Sequence, residues 1–122
     1  ITSSPFEAFA RFEAANELPK DFIRSIHATN PDTNAWALFE RSEIDAAAFD
    51  SAFQAEAEAR GHRVRGADVL ALLAGDIRPE MVAVLHKLVA AGYKIGCITN
   101  NVKTGSGAGM ARSRKRPLRS RP

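Results

Sequence analysis

Residues Tyr93-Lys94-Ile95-Gly96-Cys97-Ile98-Thr99 set the strictest condition on what this chain can fold into. Past Lys94 the run has no polar face. Ile95 and Cys97 alternate with Gly96 and Ile98, the pattern of a strand buried on both sides, hence parallel and central in its sheet. An amphipathic helix precedes it: Pro79 opens the helix, Met81, Val82, Leu85, Leu88 and Val89 are its apolar positions, and Gly92 closes it. Helix, glycine, strand and polar loop together make half of a βαβ unit. Such a strand needs a neighbour on each side, because every buried backbone group left unpaired costs about 1–3 kcal/mol. Residues 3–92 read as helices, with no second strong strand, and after Asn101 the pattern dissolves into Gly, Ser, Arg and Pro. The predicted fold class is therefore α/β, present as a piece of a larger domain and mostly α-helical within this chain. Ile1-Thr2 is expected to be the end of a neighbouring strand.

The helices are signalled by their ends. Ser4-Pro5-Phe6-Glu7 combines a capping Ser, a Pro suited to the first helical position and a Glu that completes a capping box. Phe6, Phe9 and Ala10 continue this helix to about Asn16. Leu18-Pro19-Lys20-Asp21 starts a short helix carrying Phe22, Ile23 and Ile26, and Asn30-Pro31-Asp32 breaks it. A third carries Trp36, Leu38 and Phe39 and ends near Ser42. Asp45 is the expected N-cap of a longer helix with the stripe Phe49, Ala52, Phe53 and Ala57, stopped by Gly61. Residues 66–73 hold another short helix, and Gly75 to Pro79 form a loop.

Charge divides the chain unevenly. Residues 1–101 hold ten Lys and Arg against fourteen Asp and Glu, whereas residues 102–122 hold seven Lys and Arg and no acid. The high isoelectric point, about 9.4, thus belongs to the tail, and it does not make the whole chain a nucleic-acid binder. No apolar run approaches the roughly 20 residues of a membrane span, and no signal peptide is visible. The single Cys97 has no intramolecular disulfide partner. It is expected to act as a small buried hydrophobe in a reducing, cytoplasmic setting.

Three stretches together carry a family resemblance: "ITSSPFEAF" at the start, "WALFERSEIDAAAF" in the middle and "IGCITNN" at residues 95–101. The chain resembles the haloacid dehalogenase-like hydrolases, and within them the subgroup with an inserted helical cap that includes the amino-terminal phosphatase domain of soluble epoxide hydrolases. The resemblance covers residues 1–101. It implies a Rossmann-like core with a helical cap over about residues 14–74, Glu43 in the cap's turn, and a core helix and strand over about residues 79–99. It implies Mg²⁺-dependent hydrolysis of a small phosphorylated substrate through an aspartyl-phosphate. Thr99 and Asn100 match the family's second motif. By that resemblance the Thr99 hydroxyl and a nearby backbone N–H hold oxygens of the transferring phosphoryl group, and Asn100 shapes the loop. The family's nucleophilic Asp and acid/base Asp would precede Ile1. Its Lys and its Mg²⁺-completing carboxylates would lie beyond Asn101, and Lys103 is too close to serve as that Lys. The resemblance thus places no catalytic residue and no metal ligand in this chain, which is expected to be inactive as a phosphatase on its own.

The remaining signals read as structural. Gly105-Ser-Gly-Ala-Gly109 is followed by Met110, where a dinucleotide fingerprint needs Gly or Ala, and reads as a flexible linker. His27, His62 and His86 lack metal-ligand spacing and read as surface or loosely packed. Trp36, Phe39, Phe49 and Phe53 read as core, the sharper reading being that some line the mouth between cap and core. Glu56 and Glu58 read as solvated. The tail "ARSRKRPLRSRP" has no aromatic residue and no apolar period, so it is expected to be disordered. Its sudden lack of acids predicts translation past a frameshift or a splice change. A rival reading treats residues 1–92 as a non-catalytic helical interaction module, with nucleic acid or another anion bound only through the basic tail. Strand pairing across a homodimer stays open in either reading.

Overall fold

The computed structural model describes residues 1–98. Six helices follow in order: α1 (Pro5–Ala15), α2 (Phe22–Ala28), α3 (Ala35–Glu40), α4 (Ala46–Glu58), α5 (Gly66–Ala71) and α6 (Pro79–Ala90). The first five form a bundle in which α4 packs against α3 and α5, and α2 packs against α1 and α3.

Local chemistry sets most boundaries. Ser4 Oγ accepts from Phe6 N at 3.2 Å and Pro5 takes the first position of α1. Glu7 does not close the capping box, however. Its carboxylate lies 3.4 Å from Arg78 across the chain. Asp45 caps α4 as expected, its Oδ1 accepting from Ala48 N at 2.8 Å, and Asn34 caps α3 through Ala37 N at 2.8 Å. Gly61 and Gly92 take positive φ (86° and 90°) after α4 and α6, a conformation open to glycine without steric cost.

The core is aromatic. Phe39, Phe49 and Phe53 are fully buried together with Ile23, Ile26 and Val69. The ring centroids of Phe39 and Phe49 lie 5.1 Å apart, and those of Phe49 and Phe53 5.7 Å apart. Trp36 packs on this cluster, with its centroid 6.0 Å from that of Phe49. These four side chains fill the bundle interior, so the core reading holds. The α4 stripe is buried at Phe49, Phe53 and Ala57, while Ala52 packs partly buried against it. Where α5 crosses α4 the backbones meet at Gly66, and a Cβ there would stand 2.7 Å from Asp50 Cα.

The expected strand is the main correction. Residues 93–98 form no strand, and among the described residues the only β pairing is a single antiparallel bridge between Thr2 and Ile77. Tyr93 is 66% exposed and Ile95 49%, and Cys97 is exposed rather than buried. The physical reason is the condition set out above. The run is apolar on both faces, but a strand forms only against a hydrogen-bonding neighbour, and residues 1–92 supply none to it. Helix α6 is correspondingly bare, with no buried residue.

Candidate functional site

The predicted phosphate-binding pair, Thr99 and Asn100, lies outside the described residues, as do residues 102–122. What the structure does show is how the chain approaches that point. Two segments meet where the bundle begins and ends. Ser3 N donates to Asp76 O at 2.7 Å, Arg78 N donates to Ile1 O at 2.7 Å, and Asp76 N donates to Ser3 Oγ at 2.9 Å. The incoming stretch Ile1–Ser3 and the outgoing stretch Asp76–Arg78 therefore run antiparallel, side by side. Gly75, at φ 61°, permits the close turn: a Cβ there would be 3.3 Å from Ser3 O. Helices α1–α5 lie between these two paired stretches. Helix α6 and residues 93–98 continue from the second of them toward Thr99.

Within the bundle three acidic side chains are engaged with the ends of other helices. Glu13, on the buried face of α1, accepts from Ile23 N at 2.9 Å through Oε2. It thereby caps α2, whose own N-cap Asp21 sits at φ 58° and makes no side-chain cap. Glu56 Oε1 accepts from Ala35 N, the first amide of α3, at 2.8 Å. Asp50 Oδ1 accepts from Ala67 N in the first turn of α5 at 2.8 Å. Each carboxylate places negative charge at the positive end of another helix. Glu56 is therefore half-buried and not solvated, whereas Glu58 is exposed and lies 3.9 Å from Arg63. Glu43 does occupy the turn between α3 and α4. It pairs with Arg41 at 2.7 Å, and that hydrogen bond holds its carboxyl below the ordinary carboxylate range.

His27 is the clearest residue that sequence reasoning misplaced. It stacks on Trp36 at a centroid distance of 5.0 Å and meets Phe9 and Phe53 edge-on. Its Nε2 is buried without a hydrogen-bond partner, and burial pushes its pKa down to about 4. The ring is thus a neutral member of the aromatic cluster. His62 packs edge-on against Phe22 at 5.1 Å. For Glu13 a signal was present in the sequence, since it falls four residues after Phe9 on the apolar stripe.

A shallow cavity of about 190 Å³ opens among Ile26, Thr29, Asn34, Glu56 and Arg60. Arg60 there donates to Ser25 Oγ at 2.9 Å and to Thr29 Oγ1, and Glu56 turns one oxygen to the end of α3. These polar groups hold the α2–α3 connection to α4. Among the described residues no group of three or more His, Cys, Asp or Glu side chains is placed to hold a metal ion. No helix among them is long and apolar enough to cross a membrane. Compared with protein families, with curated proteins and with solved structures, the chain finds no match.

Proposed function

We propose that this chain is part of a haloacid dehalogenase-like hydrolase: the helical cap with the start of the return to the core, from an enzyme that hydrolyses small phosphate monoesters. One observation supports this above the others. The bundle α1–α5 begins and ends at the Thr2–Ile77 bridge, the arrangement of a module inserted into another domain through adjacent chain crossings. The exposed apolar side chains of α6 and residues 93–98 fit the same reading, as surface that a larger domain would cover. In the parent, an Asp carboxylate attacks phosphorus and the substrate alkoxide leaves. Water then releases phosphate from the acyl phosphate. By the resemblance, the Thr99 hydroxyl and a nearby backbone N–H hold phosphoryl oxygens through both steps, and Asn100 shapes the loop. The resemblance places neither the nucleophile nor a Mg²⁺ ligand in this chain, so the purified chain is expected to show no Mg²⁺-dependent release of an aryl alcohol from its phosphate monoester. The decisive test is the coding DNA on both sides. An Asp-x-Asp codon pattern just before Ile1, with a Lys and paired carboxylates in some frame after Asn101, supports the reading. Turnover by the chain alone, or no such pattern in any frame, sinks it.

A second reading, the non-catalytic helical interaction module, is favoured by the open state of residues 93–98. Hydrogen exchange separates the two for this chain. Slow exchange at Ile95–Ile98 requires a sheet of some kind and counts against the module, whereas exchange at the free-peptide rate counts for it.

A further inference from the structure

The segment that joins α4 to α5 carries two exposed guanidinium groups on either side of a buried anchor. Val64 packs in the core at 3% exposure, whereas the side chains of Arg63 and Arg65 are 79% and 61% exposed. That is the alternation of an extended chain, which sets residues two apart on one face. Both arginines line a cavity of about 330 Å³, together with Phe12, Asn16, Leu18, Val64 and Asp68. Small-molecule sites start at about this size, roughly 300–1,000 Å³. We propose that this cavity binds a small organic carboxylate, its apolar body against Phe12, Leu18 and Val64 and its charged end on Arg63. The site goes beyond the hydrolase reading and does not depend on it.

Charge and free donors select the ligand. The lining holds two arginines against one aspartate, a surplus of one positive charge. Arg65 is already engaged, its Nε and Nη2 donating to the two oxygens of Asp68 at 3.3 and 2.9 Å. Arg63 is not. Its ion-pair neighbour among the described residues, Glu58, lies at 3.9 Å, beyond hydrogen-bond distance. The same Glu58 oxygen accepts from Gln54 Nε2 at 2.9 Å. The planar fork of Arg63 is therefore open to a carboxylate, which it matches with two parallel N–H donors. The end of α1 that borders the cavity does not oppose an anion with bare carbonyls. Phe12 O accepts from Asn16 N and Nδ2, and Glu13 O accepts from Leu18 N. A monoanion balances the surplus charge, whereas a phosphate monoester, at about −1.5 to −2, exceeds it and is repelled by Asp68. Phe12 and Leu18 are only partly buried, so the ligand gains by covering them with an apolar body. In so open a site a ligand this small binds weakly, with a dissociation constant on the order of 1 mM.

The test is a titration of the full 122-residue chain with sodium benzoate to about 20 mM, followed through backbone amide shifts at constant ionic strength. Saturable shifts are expected at Asn16, Leu18 and residues 63–68. Benzamide keeps the ring without the charge, acetate keeps the charge without the ring, and phenyl phosphate carries too much charge. Each should bind roughly fivefold more weakly than benzoate or worse. Arg63→Gln should weaken benzoate by roughly three- to ten-fold. Its amide spectrum away from the cavity should match the parent's, because Arg63 is exposed and holds no other element in place. The absence of saturable shifts by about 20 mM overturns the proposal. So do shifts confined to residues 102–122, whose seven Lys and Arg attract any anion. A comparison compound that binds as tightly as benzoate, or an Arg63→Gln chain of unchanged affinity, overturns it as well. None of these results bears on whether an Asp-x-Asp pattern precedes Ile1, so the hydrolase reading stands or falls separately.

Discussion

Glu13 is the residue whose removal most directly tests how the bundle holds itself together. It is 4% exposed, and its carboxylate accepts the amide of Ile23, which is itself fully buried. Helix α2 has no cap of its own, so Glu13→Ala leaves a buried N–H with neither protein nor water as partner. An unsatisfied buried donor costs about 1–3 kcal/mol, and loss of a helix N-cap typically costs about 1 kcal/mol. These describe largely the same lost bond, so about 2–3 kcal/mol is expected, including the small void left by the side chain. For a folded unit of this size that lowers the melting temperature by roughly 10–20 °C. Glu13→Gln keeps an acceptor in the same place and gives up only the charge at the helix end, so it should cost about 1 kcal/mol or less. Urea unfolding followed by far-ultraviolet circular dichroism measures both variants against the parent. Equal destabilisation by Ala and Gln would refute the reasoning, because the retained acceptor would then count for nothing. So would an Ala variant within about 0.5 kcal/mol of the parent, since surface substitutions do no more.

Two further predictions concern the core. Gly66→Ala puts a methyl 2.7 Å from Asp50 Cα and 2.8 Å from Phe49 O, both backbone atoms. The α4–α5 crossing must widen, and a loss of about 1–3 kcal/mol in urea unfolding is expected. His27 is neutral in the fold, with a pKa near 4 against an ordinary 6.5. Between those values the unfolded chain binds the extra proton, so the contribution of His27 is complete above pH 6.5 and is lost as pH falls toward 4. With allowance for its partial exposure this amounts to roughly 1–2 kcal/mol. His27→Leu should flatten the pH dependence of the urea midpoint over that window, and an unchanged slope would count against a buried neutral ring.

Much of the helical unit was legible because its signals are local. Ser4, Asp45 and Pro79 mark starts, Gly61 and Gly92 mark ends, and Phe49, Phe53 and Ala57 fall on one face whatever the rest of the chain does. Residues 93–98 were misread for the opposite reason. An apolar run states that a strand could be buried, but the hydrogen bonds that make it a strand belong to its neighbours. The burial expected of Cys97 rested on that strand and failed with it. His27 and Glu56 were misplaced because nothing in their own segments shows that Trp36 and the start of α3 fold over them. The predicted phosphate pair at Thr99 and Asn100 sits past the described residues, and only its approach along α6 is seen.

The use made of the carboxylates bears on where chemistry can sit. Among the described residues the acids that are not exposed are Glu13, Asp50, Glu56 and Asp68. The first three cap helices other than their own, and Asp68 pairs with Arg65 at 2.9 Å. A general acid or metal ligand needs a carboxylate shielded from water yet free to meet substrate or ion. Most of the shielded acids are engaged in this way, but Glu56 is not fully committed: Oε1 accepts from Ala35 N, while Oε2 is buried without a hydrogen-bond partner beside the cavity lined by Asn34 and Arg60. His27, whose Nε2 is buried, is likewise packed among Phe9, Trp36 and Phe53. A unit built this way is suited to being a rigid body. It can be carried as a cap on the paired stretches at Thr2 and Ile77. Substitutions of Glu13, Asp50 or Glu56 are expected to alter the stability of the bundle, since each removes the cap of another helix.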